Sequence, residues 1–174
     1  FFTKELEEAL LKNEIDLAVH SLKDLMTTQP AGLKLGAAGY RADRSEMLLI
    51  RKDSTAGNGV IPVREGGIIG TSSARRKAQL HFHNPTLKIN DLRGNVPTRV
   101  AKLRKGQYDA ILIAAAGVER LKLDLEGIVA VPLDPPVFLP APAQGILGIQ
   151  MRTDEPAVDQ VSSKLGSAEE MASA

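Results

Sequence analysis

The segment Ser72-Ser73-Ala74-Arg75-Arg76 combines residue types that bind anions. The surrounding pattern predicts a helix that begins behind the two serines, which can cap its free N–H groups. Two arginines in a first helical turn face the positive end of the helix dipole, which costs a few tenths to about 1 kcal/mol each. An anion held by the hydroxyls, the free N–H groups and both guanidiniums would offset this cost. The alternative is a pair of solvated arginines on an exposed helix.

Removing both arginines should therefore abolish anion binding without making the helix less stable, because the repulsion from the dipole is removed as well. Further arginines follow neighbouring predicted strands: Arg93 and Arg99 follow one, and Arg120 follows another. Since ligands of open α/β sheets bind beyond the carboxyl ends of the strands, we expect all five arginines at one sheet edge. Guanidiniums bind carboxylates and phosphates through paired hydrogen bonds. The pattern indicates a ligand with several such groups, unless the arginines have carboxylate partners within the protein.

Lys23 and Asp24 follow a different predicted strand. A carboxylate facing an arginine-lined cleft can stabilise a developing cation and move protons. The alternative for Asp24 is a capping or turn residue. His81 and His83 stand two apart on a predicted helix and point in different directions, so we expect no metal site.

The composition excludes several classes of function. The sequence has 174 residues, 43% of them hydrophobic, with 22 basic and 21 acidic residues and a net charge of +1. That balance argues against binding nucleic acid through bulk charge. Cysteine is absent, which excludes disulfides, thiolate metal sites and a cysteine nucleophile within these residues. No apolar run approaches the roughly 20 residues of a membrane span.

The apolar periodicity predicts alternating strands and helices, and therefore right-handed crossovers and a parallel sheet. The predicted strands are 15–19, 33–38, 47–51, 68–69, 87–90, 110–113 and 146–151. The predicted helices are 3–13, 73–83, 96–105, 115–120 and 155–165, and 131–136 is predicted as a linker.

A regular stretch between two less regular flanks indicates an inserted domain. We expect domain 1 at 1–44 and 140–165, domain 2 at 45–139, and the start of a linker at 166–174. The two crossings would form a hinge, and ligands often bind between such lobes.

Five motifs occur in a recognisable order and spacing through nearly the whole sequence. They are Val19–Asp24 (VHSLKD), Gly70–Arg76 (GTSSARR), Leu92–Asn95 (LRGN) with Thr98-Arg99, Ala114–Gly117 (AAAG) with Arg120, and Gln144-Gly145. Together they closely resemble the porphobilinogen deaminase (hydroxymethylbilane synthase) family. The resemblance implies an α/β fold of two lobes like the type II periplasmic binding proteins, followed by a third, C-terminal domain.

Members of the family are transferases of porphyrin and heme biosynthesis. They condense four porphobilinogen molecules into hydroxymethylbilane and release ammonia at each step. By resemblance Asp24 is the catalytic residue and dipyrromethane is the cofactor. The resemblance assigns cofactor binding to Ser21, Lys23, Thr71, Ser72, Ser73, Arg75, Arg76, Arg93, Gly94 and Arg99. It assigns substrate binding to Arg93, Arg99, Arg120 and Gln144. It also implies a cytoplasmic monomer without a metal ion, nucleic acid or membrane partner.

The sequence departs from the family pattern in a few places. The family carries its dipyrromethane on a cysteine of the third domain, whereas this sequence has none. We expect the sequence to be the two-lobed core, without the family's first strand and last domain, and inactive alone. Ala143 stands where the family usually has glycine, which could stiffen the hinge. The alternative function is a two-lobed module that binds an anion or another solute without catalysis, to which Asp24 would bring no advantage.

Overall fold

The computed structural model describes residues 2–172, which fall into two compact units. Unit 1 contains the chain up to Asp43 and from Ala141 onward, and unit 2 is Arg44–Pro140. The two chain crossings expected from the sequence, after residues 44 and 139, each differ by one residue from the limits of these units. The expected linker from residue 166 onward belongs to unit 1.

The predicted elements are present in the predicted order, with boundaries shifted by at most three residues, and the structure adds β7 and α6. The helices are α1 (Phe2–Leu11), α2 (Ala74–His83), α3 (Val96–Arg104), α4 (Ala115–Leu121), α5 (Pro156–Ser162) and α6 (Ala168–Ala172). The strands are β1 (Leu17–Ser21), β2 (Leu33–Gly39), β3 (Glu46–Arg51), β4 (Ile68–Gly70), β5 (Lys88–Asn90), β6 (Ala110–Ala114), β7 (Ile128–Leu133) and β8 (Leu147–Arg152).

Unit 1 is built on an antiparallel sheet of order β1-β8-β2. Leu10 of α1 packs on Ala18 and Leu33 of the two outer strands. Arg152, at the end of β8, donates to the carbonyl oxygens of Leu10 and Ile15 at 2.9 and 2.7 Å. Its guanidinium therefore ties α1 and the following turn to the central strand.

Residues 166–174 were expected to start a linker, but part of this segment forms α6. The Ser167 N–H donates to the Ala38 carbonyl of β2 at 3.1 Å. This bond holds the segment against the sheet of unit 1, so the described residues up to 172 do not leave it.

Unit 2 has a sheet of order β5-β4-β6-β3-β7. The prediction of a parallel sheet is right for β5, β4 and β6 but wrong for the pairing of β3, which is antiparallel to both of its neighbours, β6 and β7. Helices α2, α3 and α4 join β4, β5, β6 and β7 in turn, and these four strands run in the same direction, as α/β crossovers require. Strand β3 is joined to β4 without an α-helix and runs the opposite way.

The linker predicted at 131–136 is wrong for its first three residues, which belong to β7. Leu133 is buried in the core, and Val131 packs against it. Pro132 does not interrupt the strand because β7 lies at the edge of the sheet, where proline is tolerated. The prolines of 131–136 thus led to a linker prediction where the chain forms an edge strand.

The sheet of unit 2 has a core on each face. Leu48 and Ile50 face one core, whereas Leu49 between them faces the other, as the two-residue strand period requires. Helix α2 contributes Leu80 to the first core, and α3 contributes Leu103 to the second.

Asp109, just before β6, is a buried carboxylate that fixes the start of this strand. Its side chain accepts hydrogen bonds from the Ser54 hydroxyl at 2.7 Å, the Arg64 Nε at 3.0 Å and the Ile68 backbone N–H at 2.8 Å. Burial alone would raise the pKa of Asp109, but these bonds and the charge of Arg64 lower it below its usual value. The carboxylate therefore stabilises the folded state in its charged form.

We predict that Asp109→Asn lowers the free energy of unfolding by about 2–4 kcal/mol at pH 7, because donors directed at a carboxylate lose their acceptor. A lowered folded-state pKa gives stability that is present above the unfolded value of about 3.9 and is lost as the pH falls through the folded value. The difference in unfolding free energy between wild type and variant should therefore become smaller below about pH 4.

Urea unfolding at pH 7 and at progressively lower pH measures this difference. Asp154→Asn, at an exposed aspartate, is the control and should change stability by less than about 0.5 kcal/mol. If Asp109→Asn lowers the unfolding free energy by the same amount at every pH, the stabilising role of the charged carboxylate is contradicted.

Candidate functional site

The VHSLKD motif lies in unit 1, where β1 ends at Ser21 and a short 3₁₀ turn covers Leu22–Asp24. Leu22 is buried, and its N–H donates to the Ile146 carbonyl at 3.0 Å. Gly148 makes room for it, since a Cβ there would lie 2.8 Å from the Leu22 Cδ1. One buried leucine thus anchors a turn whose neighbouring polar residues, Ser21 and Asp24, are exposed.

The structure brings together two of the predicted site residues, Lys23 and Gln144. The Lys23 Nζ donates to the Gln144 Oε1 at 3.2 Å, and Gln144 is only 2% exposed. The chain after Gln144 is held closely, because the Ala42 N–H donates to the Gly145 carbonyl at 2.9 Å. The turn that carries Asp24 is therefore connected to the second segment of unit 1 by side chain as well as by backbone.

The GTSSARR motif in unit 2 joins β4 to α2. The Ser72 hydroxyl donates to the Leu92 carbonyl and accepts from the Leu92 N–H, both at 3.0 Å, which ties the loop after β4 to the loop after β5. Ser73 is the N-cap of α2, and its hydroxyl accepts from the Arg76 N–H at 3.4 Å. Thr71 is buried, and its hydroxyl accepts from the Ser73 N–H at 3.3 Å.

Arg75 and Arg76 share one carboxylate, that of Glu46. Arg75 donates to its Oε1 at 2.5 Å and Arg76 to its Oε2 at 2.6 Å. Glu46 is 0% exposed and Arg76 7%. Each guanidinium also donates to a backbone carbonyl, that of Leu139 for Arg75 and that of Leu112 for Arg76.

Three expectations from the sequence are affected by this pairing. The alternative of two solvated arginines is wrong, and the alternative of carboxylate partners within the protein holds for this pair. We now expect that removing both arginines lowers the stability of the fold, because it would leave Glu46 buried without its cationic partners. That the pair binds a ligand anion stays a prediction.

Sequence reasoning missed Glu46 because it assumed a parallel sheet. In the antiparallel pairing Glu46, the first residue of β3, stands beside Ala114, the last residue of β6. This register places the carboxylate at the edge where the parallel strands end and α2 begins. The signal in the sequence was an acidic residue directly before the apolar run Met47–Ile50.

The remaining predicted arginines follow the other parallel strands of unit 2. Arg93 is exposed after β5, and Arg99 in α3 donates through its Nε to the Gly94 carbonyl at 2.6 Å. Arg120 is exposed on α4, after β6. Because β5, β4 and β6 are adjacent and parallel, α3, α2 and α4 all begin at one edge of the sheet. We name this edge, with Arg75, Arg76, Arg93 and Arg99, the arginine edge. Arg120 lies farther along, in the last turn of α4.

Other charged groups near the arginine edge are paired within the protein. The Lys77 Nζ donates to the Asp91 carboxylate at 2.7 Å, and this bond, with the charges of Lys77 and Arg93, keeps the pKa of Asp91 below its usual value. At the opposite end of α2, away from this edge, His83 approaches the Val137 carbonyl at 2.9 Å and stacks on Phe138.

Within residues 2–172 no three His, Cys, Asp or Glu side chains are grouped so that they could hold a metal ion. In the same part of the chain, no helix has the length and apolar character needed to cross a membrane.

The fold is of the mixed α/β type and resembles the type II periplasmic binding proteins. The periplasmic VFT2 domain of Bordetella pertussis BvgS matches 98% of this chain and 70% of its own, with a TM-score of 0.55 and 16% sequence identity. An ancestral cationic amino acid solute binding protein matches 91% of this chain and 65% of its own, with a TM-score of 0.54 and 17% identity. At such identities the likeness concerns the fold alone.

The family to which this chain belongs is shown by its amino-acid sequence. The family described as "Porphobilinogen deaminase, dipyromethane cofactor binding domain" matches residues 1–160, and the chain belongs to this family.

Curated relatives agree with this assignment. The porphobilinogen deaminase of Deinococcus radiodurans is 45% identical over 155 residues, which is 89% of this chain and 48% of that protein. The porphobilinogen deaminase of Gloeobacter violaceus is 49% identical over 152 residues, which is 87% of this chain and 45% of that protein. The chain thus spans about half the length of the curated relatives it matches.

Two neighbours of Gln144 provide a test of the backbone that positions it. Ala143 adopts a φ of 55°, which favours glycine, and Gly145 has a φ of 91°. A Cβ on Gly145 would lie 2.5 Å from the Ala42 carbonyl oxygen. We predict that Gly145→Ala lowers the free energy of unfolding by about 2 kcal/mol or more, whereas Ala143→Gly leaves it unchanged or raises it by up to about 1 kcal/mol.

Thermal and urea unfolding of the two variants measure this opposite behaviour. A neutral Gly145→Ala, or an Ala143→Gly that loses more than about 1 kcal/mol, would contradict the described backbone.

Proposed function

We propose that the chain forms the cofactor- and substrate-binding core of an enzyme that condenses porphobilinogen into hydroxymethylbilane. The observation that carries the proposal is the arginine edge, at which three adjacent parallel strands of unit 2 each lead into a segment with at least one predicted arginine. Each porphobilinogen carries an acetate and a propionate group, so a growing polypyrrole is a polyanion. Guanidiniums from several loops match such a ligand.

The dipyrromethane cofactor that the family name implies fits the residues of unit 2. The Arg76 Nε is buried and has no hydrogen-bond acceptor within the described chain, so a ligand carboxylate could complete it. We assign the hydroxyl residues Thr71, Ser72 and Ser73 and the four arginines of the arginine edge to its acetate and propionate groups. Arg93 and Arg99, together with Arg120, are also assigned to the carboxylates of the substrate. When bound, the dipyrromethane supplies the pyrrole to which substrate is added. The sequence has no cysteine, so the covalent attachment point does not lie among these 174 residues.

Asp24 is assigned to the chemical step. Porphobilinogen loses ammonia when the bond between its methylene carbon and the protonated nitrogen breaks, and the remaining azafulvene-type fragment is cationic. The bound pyrrole chain would supply the carbon that joins this methylene carbon, and the proton released from that carbon requires a base. An exposed carboxylate on an anchored turn can stabilise the cation through the pyrrole N–H and accept the proton.

Lys23 and Gln144 complete the assignments in unit 1. Because the Lys23 ammonium donates to Gln144, the pair is fixed next to Asp24 in sequence and structure, and we assign it to a carboxylate of the ligand. A cytoplasmic location and a monomeric state remain predictions.

We predict that Asp24→Asn reduces porphobilinogen turnover by about 100-fold or more while the dissociation constant of porphobilinogen changes less than about threefold. The variant keeps the shape of the side chain but loses the charge and the base. The measurement is ammonia release per enzyme in the full-length gene product, with porphobilinogen affinity from calorimetry. Asp154→Asn is the matched control. Normal turnover by Asp24→Asn would remove Asp24 from the mechanism.

We also predict that Arg93→Gln weakens porphobilinogen binding by about 10- to 100-fold, since a charge-assisted hydrogen bond contributes about 1.5–3 kcal/mol. The unfolding free energy of this variant should stay within about 0.5 kcal/mol of wild type because the Arg93 side chain is exposed. Lys105→Gln removes the same charge at the opposite end of α3 and is the control. Equal affinities for both variants would contradict the assignment. Tight binding of porphobilinogen by the full-length protein without ammonia release would instead favour a solute-binding module.

A further inference from the structure

Glu46 is a fully buried carboxylate that none of the family motifs found in the sequence includes. It begins β3, between Ala114 of β6 and Leu133 of β7. A buried carboxylate is strongly unfavourable unless cations and hydrogen-bond donors surround it. Glu46 therefore requires Arg75 and Arg76, and the two arginines are in turn held by Glu46.

The geometry fixes both guanidiniums before any ligand arrives. Each donates one hydrogen bond to Glu46, at 2.5 Å from Arg75 and 2.6 Å from Arg76, and another to a backbone carbonyl. Side chains held by two partners lose less conformational entropy when a ligand binds. The three charged groups together carry a net charge of +1 instead of the +2 of the arginines alone.

We propose that Glu46 is a positioning residue that acts as an internal counter-ion of the arginine pair. It holds the guanidiniums in place and weakens their attraction for a ligand carboxylate. The inference rests on the proposed function, in which the arginine edge binds carboxylates. A site that must bind a growing polyanion and later release it gains from such a limit, because an uncompensated arginine pair would hold each carboxylate more tightly.

The pair retains positions at which a ligand can act. The Arg75 side chain is 28% exposed, and the buried Arg76 Nε has no hydrogen-bond partner among residues 2–172. A ligand carboxylate at these positions shares the two cations with Glu46. Ligand and Glu46 therefore repel one another across the same guanidiniums, which is the physical origin of the limited affinity.

The first test compares citrate binding by wild type and Glu46→Gln in calorimetry at several NaCl concentrations. Glutamine keeps the volume of the side chain but removes its charge. We expect the variant to bind citrate at least about tenfold more tightly, because Coulomb's law gives a repulsion of this order between Glu46 and an anion at a partly buried site. We also expect a steeper decrease of affinity with NaCl. An unchanged or weaker affinity would overturn the proposal, because a purely structural glutamate has no reason to oppose the anion.

A second comparison keeps the proposal testable if Glu46→Gln does not fold. Arg76→Gln leaves Arg75 and Glu46 with no net charge, whereas the double variant Glu46→Gln/Arg76→Gln leaves Arg75 alone with +1. We expect the double variant to bind citrate about tenfold more tightly than Arg76→Gln. Equal citrate affinities would overturn the proposal. Glu65→Gln, at an exposed glutamate of unit 2, is the charge control and should match wild type.

The two proposals can fail separately. If the full-length protein releases no ammonia from porphobilinogen but the citrate series follows the expected order, Glu46 remains a counter-ion and the enzymatic proposal fails. If ammonia is released but citrate affinity does not depend on the charge at position 46, the counter-ion proposal fails and the enzymatic one stands.

Discussion

Burying a carboxylate at the edge of a sheet requires positive charge at the same place, and this requirement organises unit 2. Glu46 enters the sheet at the start of β3, and the first turn of α2 brings Arg75 and Arg76 to its two oxygens. The unfavourable position of two cations at a helix N-terminus is offset by an anion of the protein itself. The direction of the two guanidiniums is set by this contact and by the carbonyls of Leu139 and Leu112.

In unit 1 the turn that carries Asp24 is held by apolar packing and not by a buried ion pair. Leu22 is inserted into the space left by Gly148, and the turn that follows presents Asp24. No charge is buried in this turn, and the carboxylate remains exposed. The contrast suits the proposed roles, since binding groups need to be fixed before the ligand arrives, whereas a group that stabilises a transient cation needs access to the reacting atoms.

The sequence predicted most of the elements because apolar periodicity is a local property. Arg93 and Arg99 could be expected near one edge because they follow strands joined by crossover helices. The same expectation for Arg120 did not take account of the length of α4, in whose last turn Arg120 lies. The pairing of Glu46 with the arginines could not be predicted, because it depends on the antiparallel register of β3 and β6, which is set by contacts far apart in sequence. Pro132 concealed β7 for a similar reason, since its effect depends on whether the strand lies at an edge.

The central claim, that arginines fixed within the protein bind the carboxylates of porphobilinogen, can be tested directly by NMR of the arginine Nε–H groups during titration with this substrate. The account predicts saturable shifts for Arg75, Arg76, Arg93 and Arg99. It predicts little change for Arg152, which is held by Asp16 and Glu155 in unit 1. Shifts of equal size at all arginines, or none at the arginine edge, would contradict it.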